Sequence, residues 1–135
     1  MAHIEPLEKL TKNQTLVMRT LSDAGGPLSA YTILDLLRDK GLRAPLQVYR
    51  ALDKLLEFGL VHRLESLNAF VACRQRHCDG HAFAAFMICD DCGAVAEISD
   101  ESLSKQLRKL AKGAHFAASK TTVELRGACE ACCDE

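Results

Sequence analysis

Apolar positions in the first 72 residues recur at helical spacing in three successive blocks, and the period then changes to two. The first block opens on Thr11-x-x-Gln14, a capping box in which two side chains satisfy each other's orphan amides. Leu16, Val17 and Leu21 supply its apolar side, and Gly25-Gly26 ends it. The second block starts at Ser29, carries Ile33, Leu34 and Leu37 on one face, and stops at Gly41. The third has Pro45 in its first turn, where a missing N–H does no harm, then Val48, Leu52 and Leu55, with Gly59 as its stop. Leu60, His62 and Leu64 next alternate with Val61, Arg63 and Glu65. A four-residue loop, Ser66–Ala69, is expected to return the chain into a strand ending at Cys73. A short helical turn over Glu5–Leu10 is expected ahead of these elements.

Three helices followed by a two-stranded hairpin is the order of a winged helix-turn-helix, which sets its third helix in the major groove of DNA. The remainder reads as strand (Phe83–Ile88), tight turn, strand (Ala94–Ile98), helix, strand (Thr121–Leu125). Ser99 or Asp100 caps that helix, Leu103, Leu107 and Leu110 form its apolar stripe, and Gly113 ends it. The expected fold class is therefore α+β: a winged-helix DNA-binding domain over 1–73, a polar hinge over 74–81, and a small α/β domain over 82–135. So small a second domain buries little surface alone, so a homodimer is its natural completion.

Composition narrows the function classes. The chain is 48% hydrophobic and 26% charged with 3 Pro and 8 Gly, which suits a globular protein. Its longest apolar stretch, Ala82–Cys89, has the length of a strand, far short of the ~18 residues of a membrane span. The N-terminus shows neither a basic n-region nor an apolar h-region. A cytoplasmic protein without a membrane partner is expected. Net charge is −1, so purely electrostatic, promiscuous nucleic-acid binding is disfavoured. All seven cysteines lie from Cys73 onward, and in a reducing compartment such clusters bind metal more often than they pair.

An ordinary helical hairpin with a solvated polar face would share the pattern of the second and third helices. The outward face of the third favours DNA. Gln47, Arg50 and Lys54 fall at i, i+3 and i+7 with Tyr49 alongside. Arg grips guanine through two hydrogen bonds, and Gln does the same for adenine. Tyr31, Lys12 and Arg63 are candidates for phosphate contacts, which position a protein without reading sequence.

Cys89-x-x-Cys92 and Cys129-x-x-Cys132 are the sharpest chemical signal. Each pair places two thiolates on one ion from a tight knuckle, and two knuckles close a four-sulfur zinc site. Cys133 competes with Cys132 for the last position. Disulfides and a redox Cys-x-x-Cys are the rivals, disfavoured by compartment and by the doubled motif. A looser set comprises His62, Cys73, His81 and Glu97. With the loop at Ser66–Ala69, His62 sits directly opposite Cys73, close enough to share an ion. Mixed nitrogen, sulfur and carboxylate donors suit Zn²⁺ better than Mg²⁺ or Ca²⁺. His77 is an alternative to His81, and Cys78 lies beside both. A packed histidine and a small buried cysteine are the bland reading of the same residues. No Ser/His/Asp or paired-carboxylate arrangement is visible, so an enzyme with a small organic substrate is not expected.

Ala44–His62 with its Val48-Tyr49-Arg50, then Phe70–Cys73, Phe86–Glu97 and Gly127–Cys132 resemble the ferric uptake regulator superfamily, and most closely its zinc uptake regulator branch. The resemblance implies a homodimeric, metal-dependent repressor that binds double-stranded operator DNA and controls zinc-uptake genes. It implies DNA contacts by Tyr49, Arg50 and Tyr31, structural zinc on Cys89, Cys92, Cys129 and Cys132, and a sensing site at His62, Cys73, His81 and Glu97. Two Zn²⁺ ions per chain are expected on this reading, one structural and one regulatory. An iron- or peroxide-responsive regulator of the same superfamily is the alternative. Many relatives carry a His in the last strand for a further metal, but this chain has Lys120, so no third site is expected.

Overall fold

The first helix, α1 (Lys12–Ala24), starts where Thr11 and Gln14 exchange side-chain and backbone hydrogen bonds at 3.0 and 3.2 Å. It ends on Gly25, whose φ of 72° lies in the left-handed region that glycine occupies without strain. Ser29 caps α2 (Ala30–Leu37) by accepting from the Thr32 amide at 3.1 Å. A 3-10 turn (Arg38–Lys40) follows, and α3 (Pro45–Glu57) comes next. The hairpin β1 (Val61–Leu64) and β2 (Ala69–Ala72) completes this part. This computed structural model describes residues 10–73 and 83–133. Apart from Leu10, which is not helical, the turn expected over 5–10 lies outside them, as do His77, Cys78 and His81.

By its internal contacts the chain divides into two units, Met1–Asp79 and Gly80–Glu135. The core of the first gathers one face from each helix: Val17 and Leu21, Ile33 and Leu34, Leu52 and Leu55 are all at most 1% exposed. Phe70 of β2 closes it from below, and its backbone bonds to Leu28 at 2.8 and 2.9 Å, tying the wing to the turn between α1 and α2. Burying such side chains stabilises by about 1.5–3 kcal/mol each, which fixes α3 firmly to the unit while leaving its opposite face exposed.

The hairpin register differs from the sequence expectation. Leu64 pairs with Ala69 and His62 with Val71, so the loop is Glu65–Asn68 and Cys73 lies two residues beyond the position opposite His62. Asn68 sits at φ 50°, a conformation that Asn tolerates, and it accepts from Arg63 at 3.1 Å. A shift of two preserves faces, so His62 and Cys73 become diagonal neighbours rather than opposed ones.

The second unit holds β3 (Phe83–Cys89), β4 (Val95–Ile98), α4 (Glu101–Gly113) and β5 (Thr121–Gly127). Sheet order is β4-β3-β5, with β4 antiparallel and β5 parallel to the central strand. Asp100, not Ser99, caps α4 through the Leu103 amide at 3.1 Å. No residue of α4 is buried within the chain, and Leu110 is 65% exposed. An apolar stripe left uncovered in this way is what a second subunit would cover.

Candidate metal centres and nucleic-acid interface

Parallel pairing of β3 with β5 decides where the two cysteine pairs meet. Cys89 ends β3 and pairs with Gly127 at the end of β5, so both knuckles begin at the same edge of the sheet. An antiparallel β5 would have carried Cys129 to the far end. After Cys89 the chain reverses, with Gly93 at φ 80° donating to the Cys89 carbonyl at 3.0 Å. The second knuckle repeats the device, with the Cys132 amide donating to the Cys129 carbonyl at 2.9 Å. All four sulfurs lie within 4.8 Å of one another, and Cys92 Sγ is 3.8 Å from Cys129 Sγ. A tetrahedral zinc with bonds of ~2.3 Å has sulfur–sulfur edges of ~3.8 Å, so the donor set fits that ion.

Amides aim into the same space. Those of Cys92 and Cys129 donate to Cys89 Sγ at 3.4 and 3.3 Å. These bonds, Cys92's first, bring the Cys89 thiol down to about 6 from 9.0. Cys132 is pushed up to about 12, chiefly by sharing its hydrogen with Cys129. Cys92 receives a bond from Ala94 that favours its thiolate, yet the neighbouring Cys89 and Cys129 sulfurs raise it overall. Cys89 is thus the thiolate held most readily, while Cys92 and Cys132 resist ionisation until a cation compensates. Cys133 is exposed, its amide bonded to the Cys129 carbonyl at 2.8 Å, and it is not part of the four-sulfur group.

On the wing, the donor atoms of His62 and Cys73 approach within 4.8 Å, and His62 Nε2 is buried. Glu97 is half-buried on β4, where it pairs with Phe86.

The surface of α3 carries the nucleic-acid candidates. Arg50 is exposed and Tyr49 half-buried against the core. Gln47 has a duty that spacing did not reveal. Ala44 stands at the N-cap without a polar side chain, and Gln47 Oε1 accepts from the amides of Arg43 and Ala44 at 2.8 and 3.0 Å. With that oxygen engaged, a two-bond grip on adenine is not open to it. Lys54 pairs with Glu57 at 3.3 Å, and Arg63 bonds Asn68 and lies 5.9 Å over the Phe70 ring. Tyr31 is 61% exposed near the start of α2, and Lys12 is exposed at the start of α1. Sequence reasoning missed the Asp90–Arg126 ion pair beside the cysteines, because nothing in local pattern links positions 36 apart.

A profile described as the Ferric uptake regulator family matches residues 8–126. Zinc uptake regulation protein of Escherichia coli (strain K12) is 43% identical over 125 residues, 92% of this chain and 72% of its own length. Among solved structures, a zinc uptake regulator in complex with zinc and DNA superposes with a TM-score of 0.84 at 42% identity, covering 91% of this chain and 82% of that one. The structure of holo XcZur gives a TM-score of 0.82 at 42% identity over 90% of this chain and 84% of its own.

Proposed function

This chain belongs to the ferric uptake regulator family, and on that premise we propose that it is a zinc-responsive transcriptional repressor, which binds operator DNA as a zinc-loaded homodimer and controls zinc-uptake genes. The observation that carries the reading is the approach of His62 to Cys73 within 4.8 Å on the wing of a unit whose third helix turns Arg50 outward. Domain roles follow: residues 1–73 bind DNA, 74–81 act as hinge, and 82–135 dimerise. The family consists of transcription regulators rather than enzymes. Among the described residues no helix is long and apolar enough to cross a membrane, and a cytoplasmic location accords with a DNA-binding role.

Two zinc ions per chain complete the proposal. Cys89, Cys92, Cys129 and Cys132 hold the structural one, joining the ends of β3 and β5. His62, Cys73, His81 and Glu97 hold the regulatory one. When bound, zinc supplies a four-coordinate centre that keeps such donors in one tetrahedron. His62 and Cys73 come from the reading unit and Glu97 from the dimerising unit, so engaging all of them restricts how the recognition helices are spaced. Two half-sites one DNA turn apart reward that restriction. A tenfold gain in DNA affinity corresponds to about 1.4 kcal/mol of coupling, and operator DNA must tighten zinc binding equally. Tyr49 and Arg50 read bases with Lys54 on the same helix face, while Tyr31, Lys12 and Arg63 meet phosphates; Lys54 and Arg63 first give up their surface pairs.

The test is a DNA-shift titration at buffered free Zn²⁺, with Fe²⁺ and Mn²⁺ as parallel arms. Binding that rises with zinc alone supports the proposal. A selective response to Fe²⁺, or binding indifferent to chelator, overturns it.

A further inference from the structure

Leu46 occupies the second position of α3 and is 56% exposed, although the helix buries Val48, Ala51, Leu52 and Leu55 on its other side. At about 100° per residue it falls roughly opposite the centre of that buried face. Arg50 and Asp53, both exposed, share its outward arc one and two turns later. The rest of the first turn has little to offer a base edge. Pro45 has no N–H, and the Gln47 oxygen is spent on capping amides. The first turn of this helix therefore presents one apolar side chain, ahead of one arginine, on the face that would enter a groove.

We propose that Leu46 is a specificity-determining residue that packs against the 5-methyl group of a thymine beside the base read by Arg50. The assignment rests on the reading that α3 binds duplex DNA in its major groove. There each base pair shows hydrogen-bonding groups, and the thymine methyl is the one apolar feature. Leucine has no polar atom with which to satisfy the donors and acceptors of the other bases, so it discriminates by burial and by refusing polar edges. Scattered exposed leucines are common on protein surfaces. This one differs by its place at the centre of the outward arc of the helix's first turn, where the Gln47 side-chain oxygen is already engaged.

Deoxyuridine isolates the contact, because it differs from thymidine only by that methyl. Duplexes are selected from a random library with the zinc-loaded wild-type protein, and each dT of the selected site is replaced in turn by dU. Affinities are read by fluorescence anisotropy for the wild type and for Leu46→Ala, a change that favours the helix by propensity and leaves the core intact. At one dT per half-site, dU should weaken the wild type about fourfold, the worth of burying one methyl-sized group. Leu46→Ala should bind the dT duplex less tightly by a similar factor and be indifferent to dU at that position alone. Equal sensitivity of both proteins at every position overturns the assignment, as does a Leu46→Ala affinity and site preference equal to wild type. A zinc-loaded protein that retains no duplex at all overturns the DNA-binding reading, and the assignment with it.

Discussion

Arg126 closes on Asp90 through two nitrogens at once, Nε at 2.8 Å and Nη2 at 2.6 Å from the same carboxylate oxygen. The Asp90 amide also donates to the Gly127 carbonyl at 2.7 Å. Asp90 follows Cys89, and Arg126 precedes Cys129 by three residues. The pair therefore straps the first cysteine knuckle to the strand that delivers the second. Both side chains are about half exposed, 46% and 47%, so the bond adds about 0–1 kcal/mol to folding. Its value is in aiming sulfurs.

Arg126→Ala should accordingly leave the thermal transition of the zinc-loaded protein nearly unchanged and weaken structural zinc about tenfold, as loss of such supporting partners does elsewhere. Competition with a chromogenic chelator measures this directly. Zinc retention equal to wild type would show that the strap is incidental.

Proton release offers a second test. Cys89, held at about 6 by the amides of Cys92 and Cys129, is already ionised at pH 7.5, whereas Cys132 at about 12 is protonated and Cys92 is raised. Zinc uptake by the reduced apoprotein at pH 7.5 should then release fewer protons than the thiols engaged. A depressed thiol favours the folded form at high pH, and that contribution is lost as pH falls through about 6. Below that value Cys89 must also be displaced of its proton, so zinc affinity should steepen by about another tenfold per pH unit. Calorimetry in buffers of different ionisation enthalpy counts the protons. A count independent of pH between 5 and 8 would contradict the assignment of Cys89 as the stored thiolate.

Helices were the legible part of this chain, because Thr11, Ser29 and Pro45 announce starts and the leucine spacings announce faces. The doubled Cys-x-x-Cys was legible as a sulfur cluster, although only the parallel β3–β5 pairing explains why the two halves meet. Hairpin register was not legible. A strand's alternation is blind to a shift of two, so His62 and Cys73 came out on the right face and in the wrong pairing. Asn68 settles that register through a backbone angle that spacing does not encode. Gln47 misled for a related reason: its outward position suggested a base reader, while the lack of a polar side chain at Ala44 made it a cap.

Asn68 then becomes a point where wing geometry can be perturbed. Asn68→Gly should fold with little loss, since glycine accepts φ of 50°. Asn68→Val should lose about 1–2 kcal/mol more than the glycine variant, from the left-handed backbone alone, since both forfeit the exposed Arg63 bond. Urea denaturation compares the two. Equal stability of both variants would mean that the loop refolds into another turn.

Regulatory and structural metal should separate at Cys73. Its sulfur approaches His62 on the wing, in a different unit from the four-sulfur cluster. Cys73→Ser should therefore keep one zinc per chain and the dimer, yet no longer gain DNA affinity as free zinc rises. Arg50→Ala provides the converse, retaining both ions while specific binding falls about 10- to 100-fold, the worth of a two-bond grip on guanine. Metal content by mass spectrometry and anisotropy on one operator duplex read both variants side by side. Loss of the dimer in Cys73→Ser would reverse the roles assigned to the two sites, because a sensing ligand has no reason to hold the subunits together.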